Sequence, residues 1–117
     1  MKRFEQDGLT IAVKDDPANA TVDWLGTSDS RDPTQVLSPY LDSLVDELKG
    51  KSVTVDFRKF EYMNSATVSP LINFVKKLDA NGIRTTLIFD GSLNWQRLNA
   101  QCLKALASML SCVEVRS

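Results

Sequence analysis

The sequence predicts a small α/β domain, a mixed sheet with helices packed against it. Three observations predict it. Segments rich in β-branched residues alternate apolar and polar positions, the period of a half-buried strand. The later ones are separated by stretches with apolar residues at i, i+3, i+4 and i+7, the period of an amphipathic helix. Ser-Pro, Asn-Gly and Asp-Gly-Ser punctuate the boundaries with cap and turn chemistry. A chain of 117 residues suits one domain and one core, spanning 1–117.

The first strand is expected over 9–14, with Leu9, Ile11 and Val13 on one face. Asp15-Asp-Pro-Ala-Asn19 supplies turn residues. A second strand follows over 20–25, with Val22 and Trp24 together, and the two form an antiparallel hairpin. Residues 26–38 are polar and read as a long loop of the kind that carries function. Ser38 then caps a helix with Pro39 at its first position; Leu41, Leu44, Val45 and Leu48 make its apolar stripe, and Gly50 ends it. A start at Asp32-Pro33 is the alternative, at the cost of a proline inside the helix.

A β-rich strand is expected over 52–57, followed by a loop through Phe60-Glu-Tyr-Met63. The next helix carries Leu71, Phe74, Val75 and Leu78 inward and closes at Asn81-Gly82. Pro70 suggests that it begins late, with Thr67 as its cap. A strand over 83–89 leads to a turn at Asp90-Gly-Ser92, with Ser92 as the expected cap. The last helix has Trp95, Leu98, Cys102, Leu106 and Met109 on one face, and a final strand follows over 112–116. The order is β-β-α-β-α-β-α-β. Single-helix crossovers make the later strands parallel.

Composition narrows the function. A net charge of −1 gives no electrostatic case for nucleic acid. No apolar run of about 18 residues is present, so no membrane span is expected. Met1-Lys-Arg-Phe-Glu-Gln-Asp7 lacks the apolar segment of a signal peptide, and a cytoplasmic chain is expected. The chain has no histidine, which rules out Ser-His-Asp and Cys-His catalysis. Cys102 and Cys112 have no metal-ligand spacing, so neither a metal nor another cofactor is expected, and both read as buried free thiols.

The most distinctive chemistry sits where the central strand hands over to a helix: Val55-Asp56-Phe57, then Phe60-Glu-Tyr-Met63, then Asn64-Ser65-Ala66-Thr67. This stretch, in this element order, resembles the STAS domain of anti-sigma-factor antagonists. There a strand ends in Asp, an apolar-rich loop follows, and a helix opens with Asp-Ser-Ser/Thr-Gly. This chain departs from that motif at Asn64, Ala66 and Thr67 and keeps Ser65. The resemblance implies a bacterial regulatory module without enzymatic activity. It would act in transcription control by partner switching, and its protein partner would be a kinase-type anti-sigma factor. The residue implied as phosphorylation site is Ser65, and the implied partner surface comprises Asp56, Tyr62, Met63, Asn64, Ser65, Thr67 and Ser69, with the 28–38 loop nearby.

Other readings of the same residues stand beside that one. Ser65 serves equally as a helix cap. Some STAS-like proteins are constitutive adaptors in larger complexes, without a phosphoswitch. A small enzyme would have to use the strand-end carboxylates Asp56 and Asp90.

Overall fold

The computed structural model describes residues 2–117. Met1, the first residue of the segment read for a signal peptide, lies outside them. The elements are β1 (Lys2–Gln6), β2 (Leu9–Asp15), β3 (Asn19–Ser28), α1 (Thr34–Leu48), β4 (Ser52–Asp56), β5 (Phe60–Met63), α2 (Ser65–Ala80), β6 (Thr85–Ile88), α3 (Asn94–Ala107) and β7 (Val113–Arg116). They form one mixed sheet in the order β1-β2-β3-β4-β6-β7, with β5 paired to the far end of β3. The first three strands are antiparallel, and β3, β4, β6 and β7 run parallel.

The three crossovers through α1, α2 and α3 all step the same way across the sheet. Right-handed connection therefore puts all three helices on one face. Burial follows that logic. Ile11, Val13, Val22, Trp24, Val53, Val55 and Leu87 face the helices and are buried. Their neighbours Thr21, Asp23, Thr54, Asp56, Thr86 and Ile88 are only partly covered. Trp24 anchors the core, its ring centroid 5.5 Å from both Phe57 and Phe60. Phe57 stacks on Phe89 at 4.7 Å.

Two strands escaped the sequence reading. β1 carries one partly buried apolar residue, Phe4, among Lys, Arg, Glu and Gln, because it is a charged edge. β5 covers the stretch read as a loop, and it is only four residues long. It shortens the expected 26–38 loop from one side, since β3 runs on to Ser28 to pair with it.

Gly26 makes that extension possible. Its φ is +80°, and an added Cβ would lie 2.1 Å from the Gly8 carbonyl oxygen. The β3 register shifts between Gly26 and Thr27, and the strand turns from β4 onto β5.

Helix α1 shortens the loop from the other side. It begins at Thr34 after Pro33, so Pro39 lies inside it and the Ser38 cap is not used. The extra turn buries Leu37 and Pro33, while Pro39 and Gln35, whose carbonyl loses its helical partner, sit on the exposed side, open to solvent. The expected Ser92 cap is also not used. Leu93 precedes α3, and the Ser92 amide and hydroxyl both donate to Asp90 Oδ1.

The expected face of α3 is corrected as well. Gln96, Ala100 and Leu103 meet the sheet, whereas Leu98, Cys102 and Met109 are exposed. Cys112 is half-buried, so neither thiol is sealed in the core.

Candidate functional site

The site is built at the N-terminus of α2, where β5 hands over to the helix. Asn64 is the cap. Its backbone is extended, and its Oδ1 accepts from the Thr67 amide at 3.1 Å. Oδ1 also accepts from the Thr67 hydroxyl at 2.7 Å. That uses the one proton of Thr67, so Ser28 Oγ must donate to Thr67 Oγ1 across their buried 2.7 Å contact. Asn64 Nδ2 donates to the Ser30 carbonyl at 2.8 Å, and the Asn64 amide donates to the Ser28 carbonyl at 2.8 Å. The network ties the loop after β3 to the first turn of α2.

This arrangement corrects two expectations. Helix α2 starts at Ser65, so neither Thr67 nor Ser65 is its cap. Pro70 lies in the helix and is buried.

The network also explains two departures from the antagonist motif together. A carboxylate in place of Asn64 could accept both bonds from Thr67 but could not donate to Ser30. Its oxygen would face that carbonyl at the present 2.8 Å. Asn64→Asp is therefore expected to cost about 1–2 kcal/mol net. The lost bond and opposed oxygens outweigh the few tenths that a charge gains at a helix N-terminus. Urea unfolding of the two proteins measures it, and a stabilised Asp variant would contradict the assignment.

The expected surface residues divide sharply. Ser65 is exposed at the first helical position, and its hydroxyl makes no hydrogen bond among the described residues. Ala66 and Ser69 are exposed, and Tyr62 is 48% exposed. Asn64 is half-buried at the rim. Met63 and Thr67 are buried beneath, so they support the surface and cannot form it.

Asp56 is not brought together with them. It alternates with the buried Val55 and lies on the open face of the sheet, opposite α2. There it accepts from the Arg58 amide at 2.9 Å and from Arg58 Nε and Nη2 at 3.1 and 2.8 Å. The Arg58 side chain holds its carboxyl below the usual range. A depressed folded value makes the stabilisation present at neutral pH and lost as pH falls through that value. Asp56→Asn should therefore flatten the acid-unfolding curve below about pH 4, by no more than about 1 kcal/mol for so exposed an arginine.

Asp90 is likewise held below its usual range, by the Ser92 hydroxyl first and the Ser92 amide second. Both carboxylates are thus engaged in their own turns. The cavity beside Asp56 measures about 40 Å³, too small for an organic substrate.

One supporting residue was missed by the sequence reading. Gln96 of α3 is fully buried. Its Nε2 donates to the Phe57 and Phe60 carbonyls at 2.7 and 2.9 Å, and its Oε1 accepts from the Asp90 amide at 2.7 Å. It fixes the β4–β5 turn from below. The available signal was its spacing: Gln96, Ala100 and Leu103 share the i, i+4, i+7 stripe of a buried helix face.

Among the described residues no group of three or more side chains could hold a metal ion, and no helix is long and apolar enough to cross a membrane. No family model matches the chain, and no curated protein does. The solved structures include a similar one, the crystal structure of an anti-sigma factor antagonist from Mycobacterium paratuberculosis. Its TM-score is 0.63 at 16% identity, over 84% of this chain and 81% of that one. Identity this low speaks to architecture: the chain has the α/β STAS fold of that antagonist.

Proposed function

We propose that the domain is a protein-binding module of a partner-switching system, docking through the start of α2. Tyr62, Ser65, Ala66 and Ser69 form the surface, Asn64 lies at its rim, and Ser65 carries the regulatory phosphate. The observation that carries this reading is the position of Ser65, exposed at the first turn of a helix whose cap is supplied by its neighbour.

A phosphate there needs nothing new from the fold. The first backbone N–H groups of α2 point outward, the helix dipole favours negative charge, and the first turn holds no acidic residue to repel it. The modification would add about −1.5 to −2 charges in the middle of the surface. A partner that buries Tyr62 would then have to accommodate that charge or leave. The kinase would be the partner itself or a protein associated with it, as in the antagonists that the fold resembles.

Tandem mass spectrometry of protein purified from its own host tests this. Phosphate mapped to Ser65, with Ser69 and the buried Ser28 and Thr67 unmodified, supports the switch. Phosphate found only at other residues contradicts it.

A second reading keeps the surface and drops the phosphate. Ala66 stands where the antagonist motif has its second hydroxyl, which favours a constitutive adaptor. Under that reading Ser65 is unmodified and Ser65→Ala is silent, while Tyr62→Ala still weakens binding.

A further inference from the structure

Strand β1 pairs with β2 along one edge, and its other edge has no partner strand among the described residues. The two strands are joined by the two-residue turn Asp7-Gly8, with positive φ at both positions, so Gln6 and Leu9 form the hydrogen-bonded pair that closes it. Such pairs alternate along an antiparallel ladder. Lys2, Phe4 and Gln6 therefore direct their backbone groups to β2, while the N–H and C=O groups of Arg3 and Glu5 point outward.

Charge on an edge strand ordinarily keeps other strands away. Here the order of the charges admits one strand, a second copy of β1. Two copies related by a twofold axis pair antiparallel, and outward-facing residues must meet each other. Arg3 and Glu5 can do so in three registers. Arg3 opposite Arg3 and Glu5 opposite Glu5 both set like charges face to face, which is destabilising. The third register, centred on Phe4, sets Arg3 opposite Glu5 of the other copy and Glu5 opposite its Arg3, with Lys2 opposite the uncharged Gln6. Each Arg3–Glu5 pair then exchanges two backbone hydrogen bonds. Arg3 and Glu5 already lie 3.6 Å apart within one chain, so the four side chains would alternate in sign both along and across the strands. On the opposite face Phe4, stacked on Tyr40 at 4.4 Å, would meet Phe4 of the other copy.

We propose that β1 is a self-pairing edge, through which two copies of the chain join their sheets in the register that matches Arg3 with Glu5. Strand addition draws its affinity from main-chain hydrogen bonds and its register from the side chains, so it does not need a broad apolar area. The proposal does not rest on the reading of Ser65.

Sedimentation velocity from micromolar to millimolar protein tests it by charge exchange. The wild type is expected to form a dimer that grows with concentration. Arg3→Glu sets acid against acid in both pairs, and Glu5→Arg sets base against base. Each alone should weaken the dimer at least tenfold with the melting temperature little changed, since both side chains are exposed. An equimolar mixture of the two variants should dimerise again, because opposite charges then face each other in both pairs. The double variant Arg3→Glu, Glu5→Arg should dimerise as the wild type does. A wild type that stays monomeric throughout overturns the proposal. So do single variants that dimerise as well as the wild type, or a mixture that stays monomeric.

Discussion

Gln96→Leu is expected to lower unfolding stability by about 2–4 kcal/mol. The replacement is apolar and of similar volume, though one bond shorter, so little packing is lost. What is lost is the partner of two carbonyls and one amide, those of Phe57, Phe60 and Asp90. A buried backbone group left unpaired costs about 1–3 kcal/mol. Phe57 retains one donor, the Phe60 amide at 2.9 Å, which keeps the sum below three full penalties. Gln96→Glu separates the hydrogen-bond account from a packing account. Its carboxylate would face two carbonyl oxygens, so its folded pKa must be raised above the unfolded value. The variant should then be most stable below the ordinary glutamate range, about pH 4, and lose stability as pH rises through the raised folded value. Urea titrations at acid and neutral pH measure both effects. A Leu variant as stable as the wild type would show that the strut is ornamental.

Gly26→Ala is expected to cost about 2–5 kcal/mol. A left-handed backbone is unfavourable for alanine by about 1–2 kcal/mol. The added methyl would also lie 2.1 Å from the Gly8 carbonyl oxygen, a backbone atom of the turn between β1 and β2. Relieving that overlap forces a shift worth about 1–3 kcal/mol more. The consequence reaches the site. If β3 cannot bend after Gly26, Ser28 leaves Thr67, and the clamp on the first turn of α2 opens. Amide hydrogen exchange should show lost protection at Asn64 and Thr67 in this variant. Protection lost only near Gly8 would place the effect elsewhere.

The sequence reading recovered the fold wherever the apolar pattern had one interpretation. The alternation through Val22 and Trp24, the Val53–Val55 strand and the α2 stripe all lie where expected. It faltered where pattern is weak or double. Phe4 alone cannot announce a strand among four polar residues, and β5 is too short for its periodicity to show. In α3 the apolar residues spread around more than half the helix, and sequence alone does not say which side the sheet takes. The reading chose the face with Leu98 and Met109, whereas the sheet took the face with Ala100 and Leu103.

The candidate site was legible in outline because cap and motif residues are local. Its partition into surface and support was not. Thr67 and Ser69 are both hydroxyl residues two positions apart, yet one is buried and bonded to Ser28 while the other is exposed. Asp56 was grouped with Ser65 because the resemblance implied one surface for both. The pleat sends it to the other side of the sheet, and only the register shows that.

The central claim is that the exposed start of α2 is where a partner binds and where charge controls binding. The most direct test takes one partner isolated with the wild-type domain and compares its affinity for wild type, Ser65→Asp and Ser69→Asp. The account predicts a change of at least tenfold for Ser65→Asp and a smaller one for Ser69→Asp, with all three proteins equally folded. Equal affinities for wild type and Ser65→Asp would contradict it.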